Sequence, residues 1–182
     1  RRLRRMPTLE SEIGIGQAPV YPGEGKILID LGATANGYAW IFPKKERLSI
    51  GVAEFRGKAA SPKGVFDRFV RDEKGLASMD VPQPCGHPLP LYSSGGGMAP
   101  VGLVRHRALL VGDAGHLVDP LFGEGIYYAV RSGQIAAASV LGSFRDQRRT
   151  LLDYELAVTR EIYAEFRIAS RVARIVYTFP RL

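Results

Sequence analysis

In this 182-residue chain the stretch from Tyr38 to Val52 alternates well enough for two strands joined by a turn. That predicts a strand at 38–42, a connection over Pro43–Arg47 and a return strand at 48–52. Upstream, residues 12–30 hold Gly and Pro around short apolar runs, notably Lys26–Asp30. Downstream the period lengthens. Ser61 and Pro62 read as an N-cap followed by proline at the first helical position. Val65, Phe66, Phe69 and Val70 then share a helical face, and Gly75 closes the helix. Residues 80–107 are broken by Gly and Pro, so only short strands are expected there.

At residue 108 the pattern changes. Ala108–Val111 is an unbroken apolar run, as in a strand buried on both faces of a parallel sheet. A helix is predicted from Ile126 to Leu141, with Ala129, Gly133 and Ala137 spaced so that another backbone can approach closely. A second helix is predicted from about 147 to 177. Its apolar face would comprise Leu152, Leu156, Tyr163, Phe166, Ile168, Val172, Ile175 and Val176. A parallel strand needs parallel neighbours, and the sequence shows no other βαβ pattern. The sheet is therefore expected to be completed by another chain or by further residues of a longer protein. The expected class is α+β with an α/β piece, divided at 1–107, 108–142 and 143–182.

Composition narrows the classes. A hydrophobic fraction of 46% is ordinary for a globular protein. No apolar run reaches the length of a membrane span, and the arginine-rich start has no apolar stretch behind it, so no secretory signal is expected. A single cysteine, Cys85, excludes an internal disulfide and fits a reducing, cytoplasmic compartment. It reads as a loop thiol. His87, His106 and His116 share no metal-ligand spacing with each other or with Cys85, so no metal is expected. The net charge of +7 comes largely from arginines at the two ends of the chain. Acidic residues interleave with the C-terminal arginines. That favours a solvated helix face, with attraction to anionic lipid as the other reading; nucleic acid is not expected.

The chemistry concentrates at 112–126. Asp113 follows Gly112 at the end of the apolar run, where α/β folds bind ligands. Its carboxylate is suited to accept hydrogen bonds from ligand hydroxyls, or else it caps a turn. Pro120, then Gly123, Glu124 and Gly125, lead into the helix at Ile126. Free backbone N–H groups there, backed by the helix dipole, favour an anion or a developing negative charge. A contribution of about 1 kcal/mol would raise a two-electron potential by about 20 mV, enough to tune a redox group but not to create its chemistry. The bland reading is an ordinary glycine turn. Glu124 is a candidate proton donor or simply an N-terminal helix charge.

This segment, from Leu110 to about Ala138, resembles the second flavin fingerprint of the large group of FAD-dependent oxidoreductases. That group includes aromatic hydroxylases and geranylgeranyl reductases. The match lies in the order Gly112-Asp113, Pro120, Gly123, Gly125, Gly133. The resemblance implies that Asp113 contacts the ribityl chain of FAD and that residues 120–125, with Ile126, lie beside the isoalloxazine ring. A second match narrows the family. Gly37, Tyr38, Trp40, Phe42 and Pro43, with Gly51 eight residues after the proline, resemble the aromatic substrate motif of geranylgeranyl reductases. In that family the aromatics line a cavity for a prenyl chain. Alternation puts Tyr38, Trp40 and Phe42 on one strand face as a flat apolar wall, the kind of surface a polyisoprenoid needs. Without the flavin motif, an ordinary core face would explain them. The resemblance spans roughly 32–180.

Some positions depart from the pattern. His116 is closer to aromatic hydroxylases, though a packing role explains it as well. Ala53 stands where the reductase motif usually has a second Gly. The N-terminal GxGxxG that holds the ADP half of FAD is absent. Gly14 and Gly16 lack a third Gly, and Gly95–Gly97 lack a strand–helix context.

The resemblance thus implies an antiparallel substrate-domain sheet, plus the last strand and C-terminal helices of an FAD-binding domain. The expected activity is reduction of prenyl double bonds by hydride from reduced flavin, in lipid or pigment biosynthesis. NADPH or ferredoxin would be the electron donor, and a prenylated lipid or small molecule the partner. FAD is not expected to be retained by residues 1–182 alone. The alternatives are a flavin-dependent aromatic hydroxylase and a catalytically silent, self-associating fragment.

Overall fold

Tyr38–Val52 folds as its alternation dictates. In the computed structural model, which describes residues 5–14, 25–55, 61–92, 102–146 and 150–179, strands β3 (Gly37–Pro43) and β4 (Arg47–Glu54) form an antiparallel hairpin. Its turn is closed by Lys44 N–H donating to Arg47 C=O at 2.7 Å. Strand β1 (Arg5–Gly14) pairs antiparallel with β4, and β2 (Leu28–Asp30) pairs antiparallel with β3. With β5 (Cys85–Pro90), the sheet runs β2-β3-β4-β1-β5. Cys85 therefore opens a strand rather than sitting in a loop, and it is exposed.

One sheet face carries the core. Ala39, Ile41, Leu48, Ile50, Val52 and Ile13 pack against Val65, Phe66 and Phe69 of α1 (Pro62–Asp72), with Leu76 beyond it. Proline begins α1 as expected. Ser61 occupies the N-cap but makes no side-chain cap bond. The helix ends at Asp72, short of Gly75, because Glu73 turns to an extended conformation.

The chain divides into two compact units, one built on Met6–Pro88 together with the end of the last helix, the other on Leu89–Ile175. The second is held by α2 (Ile126–Arg145) and α3 (Leu152–Thr178). Its core comprises Tyr92, Leu103, Leu117, Ile135, Tyr154, Val158, Ile162, Tyr163 and Phe166. Arg131 of α2 clamps Glu161 of α3 with two hydrogen bonds, one at 2.7 Å. Each member pulls the other's pKa toward its charged form: Glu161 is held low and Arg131 high.

Two expectations need correction. The apolar run at 108 does not form a buried parallel strand. Strand β7 is only Ala108–Leu109, paired antiparallel with β6 (Val104–Arg105), and Val111 is 38% exposed. Among the described residues no strand runs parallel to it, so the run has no ladder to join. The apolar face foreseen on the last helix also divides. Tyr163 and Phe166 are buried, but Leu152, Leu156, Ile168, Val172 and Ile175 are exposed. The buried stripe instead runs Tyr154, Val158, Ile162, Phe166, Ala173, Tyr177. The helix carries more apolar residues than one face can hold.

Candidate functional site

The run ending at Val111 delivers Asp113 through a single 3-10 turn, Gly112–Gly115. Gly112 has φ of +51°, a left-handed conformation, and a β-carbon there would sit 2.9 Å from the Ala129 Cβ of α2. Only glycine meets both demands at low cost. Two buried side chains fix this segment. Ser132 Oγ accepts the Gly112 N–H at 3.0 Å and donates to Ala129 C=O. Tyr154 O–H donates to Leu110 C=O at 2.7 Å, and burial pushes its phenol up to about 12. His116 ends the turn at φ +54°, its N–H donating to Asp113 C=O at 3.0 Å. Its ring is buried and Nδ1 has no partner.

The turn opening α2 is organised by Asp119. This buried carboxylate accepts the N–H groups of Leu121 at 2.7 Å and Phe122 at 2.9 Å. Its own N–H donates to Glu124 C=O, and its C=O accepts the Gly123 N–H. Burial raises its pKa, with the two N–H bonds opposing. Pro120 is buried within the turn. Gly123 takes φ of +72°, and Gly125 is the N-cap residue of α2. Glu124 Oε1 accepts the Tyr127 N–H at 2.9 Å, which is a helix-start role. Ile126 is 82% exposed. The N–H groups of Gly125 and Ile126 have no acceptor among the described residues, as the start of a helix dictates.

These two segments meet. Asp113 Oδ1 lies 3.2 Å from the point a β-carbon would occupy on Gly125. The Asp113 side chain is exposed and makes no hydrogen bond to the described residues. It therefore does not cap the turn. An uncommitted acceptor beside uncommitted N–H donors and a glycine suits a planar ligand with hydroxyls and an electron-rich edge. A flavin has both.

The aromatic set belongs to the other compact unit. Tyr38, Trp40 and Phe42 project from one face of β3, opposite the core face carrying Ala39 and Ile41. Ring centroids are 5.9 Å apart between Tyr38 and Trp40, and again between Trp40 and Phe42. Phe55 extends the row, 6.2 Å from Tyr38 and stacked on Tyr177 at 4.5 Å. Gly51 pairs directly with Trp40, and a β-carbon there would overlap the indole ring. Trp40 Nε1–H donates to Ser49 Oγ at 3.2 Å, and Ser49 O–H donates to Glu10 at 2.6 Å. Tyr38 and Trp40 are buried, while Phe42 and Pro43 are half-buried.

Sequence reasoning missed Asp119, Ser132 and Tyr154. An Asp before a proline was the available signal for Asp119. Ser132 and Tyr154 act on backbone atoms 20 and 44 residues away, so local sequence holds no signal for them. Among the described residues no group of three His, Cys, Asp or Glu could hold a metal, and no helix is long and apolar enough to cross a membrane.

No family model matches the chain. It is 34% identical over 116 residues to digeranylgeranylglycerophospholipid reductase of Methanocella arvoryzae, covering 60% of this chain and 27% of that protein. It is 28% identical over 120 residues to geranylgeranyl diphosphate reductase of Synechocystis sp., covering 65% of this chain and 28% of that protein. The chain spans between about a fifth and two fifths of the length of the curated relatives it matches. A solved structure, the geranylgeranyl bacteriochlorophyll reductase-like protein of Thermoplasma acidophilum, superposes with a TM-score of 0.79 at 21% identity. The match covers 97% of this chain and 44% of that one. At this identity the likeness speaks for the fold.

Proposed function

By its relatives the chain belongs to the geranylgeranyl reductase family, and on that premise we propose that it carries the isoalloxazine side of an FAD site and an aromatic wall for a prenyl chain. The observation that carries this reading is the exposed, uncommitted Asp113 carboxylate set beside Gly125 at the start of α2. A carboxylate so placed accepts hydrogen bonds from the hydroxyls of a ribityl chain. The free N–H groups of Gly125 and Ile126, with the α2 dipole behind them, favour the negative charge of a reduced pyrimidine edge. The glycines at 123 and 125 leave room for a flat ring against the backbone.

When bound, a reduced flavin would supply hydride to one carbon of an isolated alkene, with a proton from solvent reaching the other carbon. The residues of this chain bind, orient and exclude water. Tyr38, Trp40 and Phe42 offer ring faces to a polyisoprenoid, which has only methyl and alkene groups to present. The two curated relatives act, by their names, on compounds that share a geranylgeranyl chain and differ at the polar end. The substrate class proposed here is therefore a polyprenyl chain, whatever its polar end. The electron source is a reduced nicotinamide or a ferredoxin, delivered to the flavin.

Both halves can be tested. FMN titrated into the chain should lose fluorescence on binding, and Asp113→Ala should weaken that binding at least tenfold, the worth of one hydrogen bond to a charged group. Unchanged affinity would contradict the flavin half. Trp40 is the only tryptophan, so intrinsic emission reports on the wall directly. Geranylgeraniol should shift that emission; a spectrum indifferent to it would contradict the substrate half.

A further inference from the structure

Among the described residues, helix α3 carries a second apolar stripe that is exposed. At about 100° per residue, Ile168, Val172 and Ile175 fall on one line, away from the buried line of Ile162, Phe166 and Ala173. They are 63%, 39% and 58% exposed. Directly beside them runs a row of exposed arginines, Arg167, Arg171 and Arg174, with Arg160 two turns earlier on the same line. None of these four pairs with a carboxylate among the described residues. The sequence from Phe166 to Ile175 holds no acidic residue. The nearest acids on the helix are already engaged: Glu161 with Arg131, and Glu165 as acceptor of the Tyr128 hydroxyl at 3.3 Å.

An apolar line edged by unopposed arginines matches a lipid headgroup boundary. The isoleucines meet acyl chains while the guanidinium groups meet phosphates, with long arginine stems spanning the two. A second copy fits less well, because antiparallel pairing of two such faces sets arginine row against arginine row. We propose that the face of α3 formed by Arg167, Ile168, Arg171, Val172, Arg174 and Ile175 docks on the surface of an anionic lipid bilayer. This inference uses neither the flavin turn nor the aromatic wall, so it and the reductase reading can fail separately.

The test is co-sedimentation of the chain with vesicles. It should pellet with an equimolar phosphatidylglycerol–phosphatidylcholine mixture and stay in solution with phosphatidylcholine alone. Salt near 1 M, where screening extends only about 3 Å, should release it. The triple variant Arg167→Gln/Arg171→Gln/Arg174→Gln should lose about a hundredfold in partitioning, about fivefold per arginine. The matched control Lys45→Gln/Arg105→Gln/Arg107→Gln removes the same charge from exposed sites elsewhere and should change partitioning only a few-fold. Ile168→Ser/Ile175→Ser keeps the charge and should lose at least tenfold. Circular dichroism on each variant separates misfolding from loss of docking. Three outcomes overturn the proposal: equal loss in the target and control triples, no binding to anionic vesicles, or self-association abolished by the isoleucine variant.

Discussion

The carboxylate of Asp113 and the backbone of Gly125 stand face to face, with Oδ1 3.2 Å from the position a β-carbon would take on the glycine. The 3-10 turn and the start of α2 are thereby brought into contact. Gly125 has φ of −131°, a conformation open to alanine, so the glycine is needed for space rather than for its torsion.

Gly125→Ala is accordingly expected to fold with little change in melting temperature. Its methyl group displaces the Asp113 carboxylate by a few tenths of an ångström and blocks the approach to the helix N-terminus. FMN affinity should fall about tenfold, the worth of one charge-assisted hydrogen bond. Thermal melts and flavin titration on the same sample separate the two effects.

Gly112→Ala should behave in the opposite way. Its φ of +51° costs alanine about 1–2 kcal/mol, and the 2.9 Å approach to Ala129 Cβ adds overpacking. The expected loss is about 2–4 kcal/mol of stability, read by urea unfolding. A variant as stable as the parent would show that the turn is not built this way.

How far these relationships were legible in the sequence depends on their range. The β3–β4 hairpin was readable because a period of two separates Ala39 and Ile41, fully buried, from Tyr38 and Trp40 on the other face. Helix α1 was readable from Ser61, Pro62 and the spacing of Val65, Phe66 and Phe69. The residues of the flavin-like turn stood out for their order, but their meeting in space did not follow from order alone. The Ala108–Val111 run misled because apolarity reports burial and not the identity of a strand partner. Helix α3 misled because two apolar stripes share one helix and composition does not say which is covered. Ser132 and Tyr154 stayed hidden because the backbone groups they hold lie 20 and 44 residues away, whereas Asp119 had a signal in the proline that follows it.

Glu54 makes stability depend on pH. It is 3% exposed, Oε2 has no partner, and Oε1 has only the Thr34 hydroxyl at 3.5 Å. Burial raises its pKa above the ordinary 4.5. Below 4.5 both folded and unfolded chains hold the proton, and the stabilisation is fully present. As pH rises, the unfolded chain ionises first and stability is lost until the folded carboxyl ionises too. Glu54→Gln removes that loss. Its melting temperature relative to the parent should rise as the pH climbs above 4.5, and a constant difference would contradict the assignment.

The central claim is that Asp113 and the turn at 123–126 grip one and the same flavin. Amide correlation spectra of the labelled chain, titrated with FMN, test it most directly. Resonances of Gly112 and Asp113 and those of Gly123 to Ile126 should shift together and saturate with a single Kd, and FAD should bind no more tightly than FMN. Movement of only one segment, or two segments saturating at different concentrations, would contradict it.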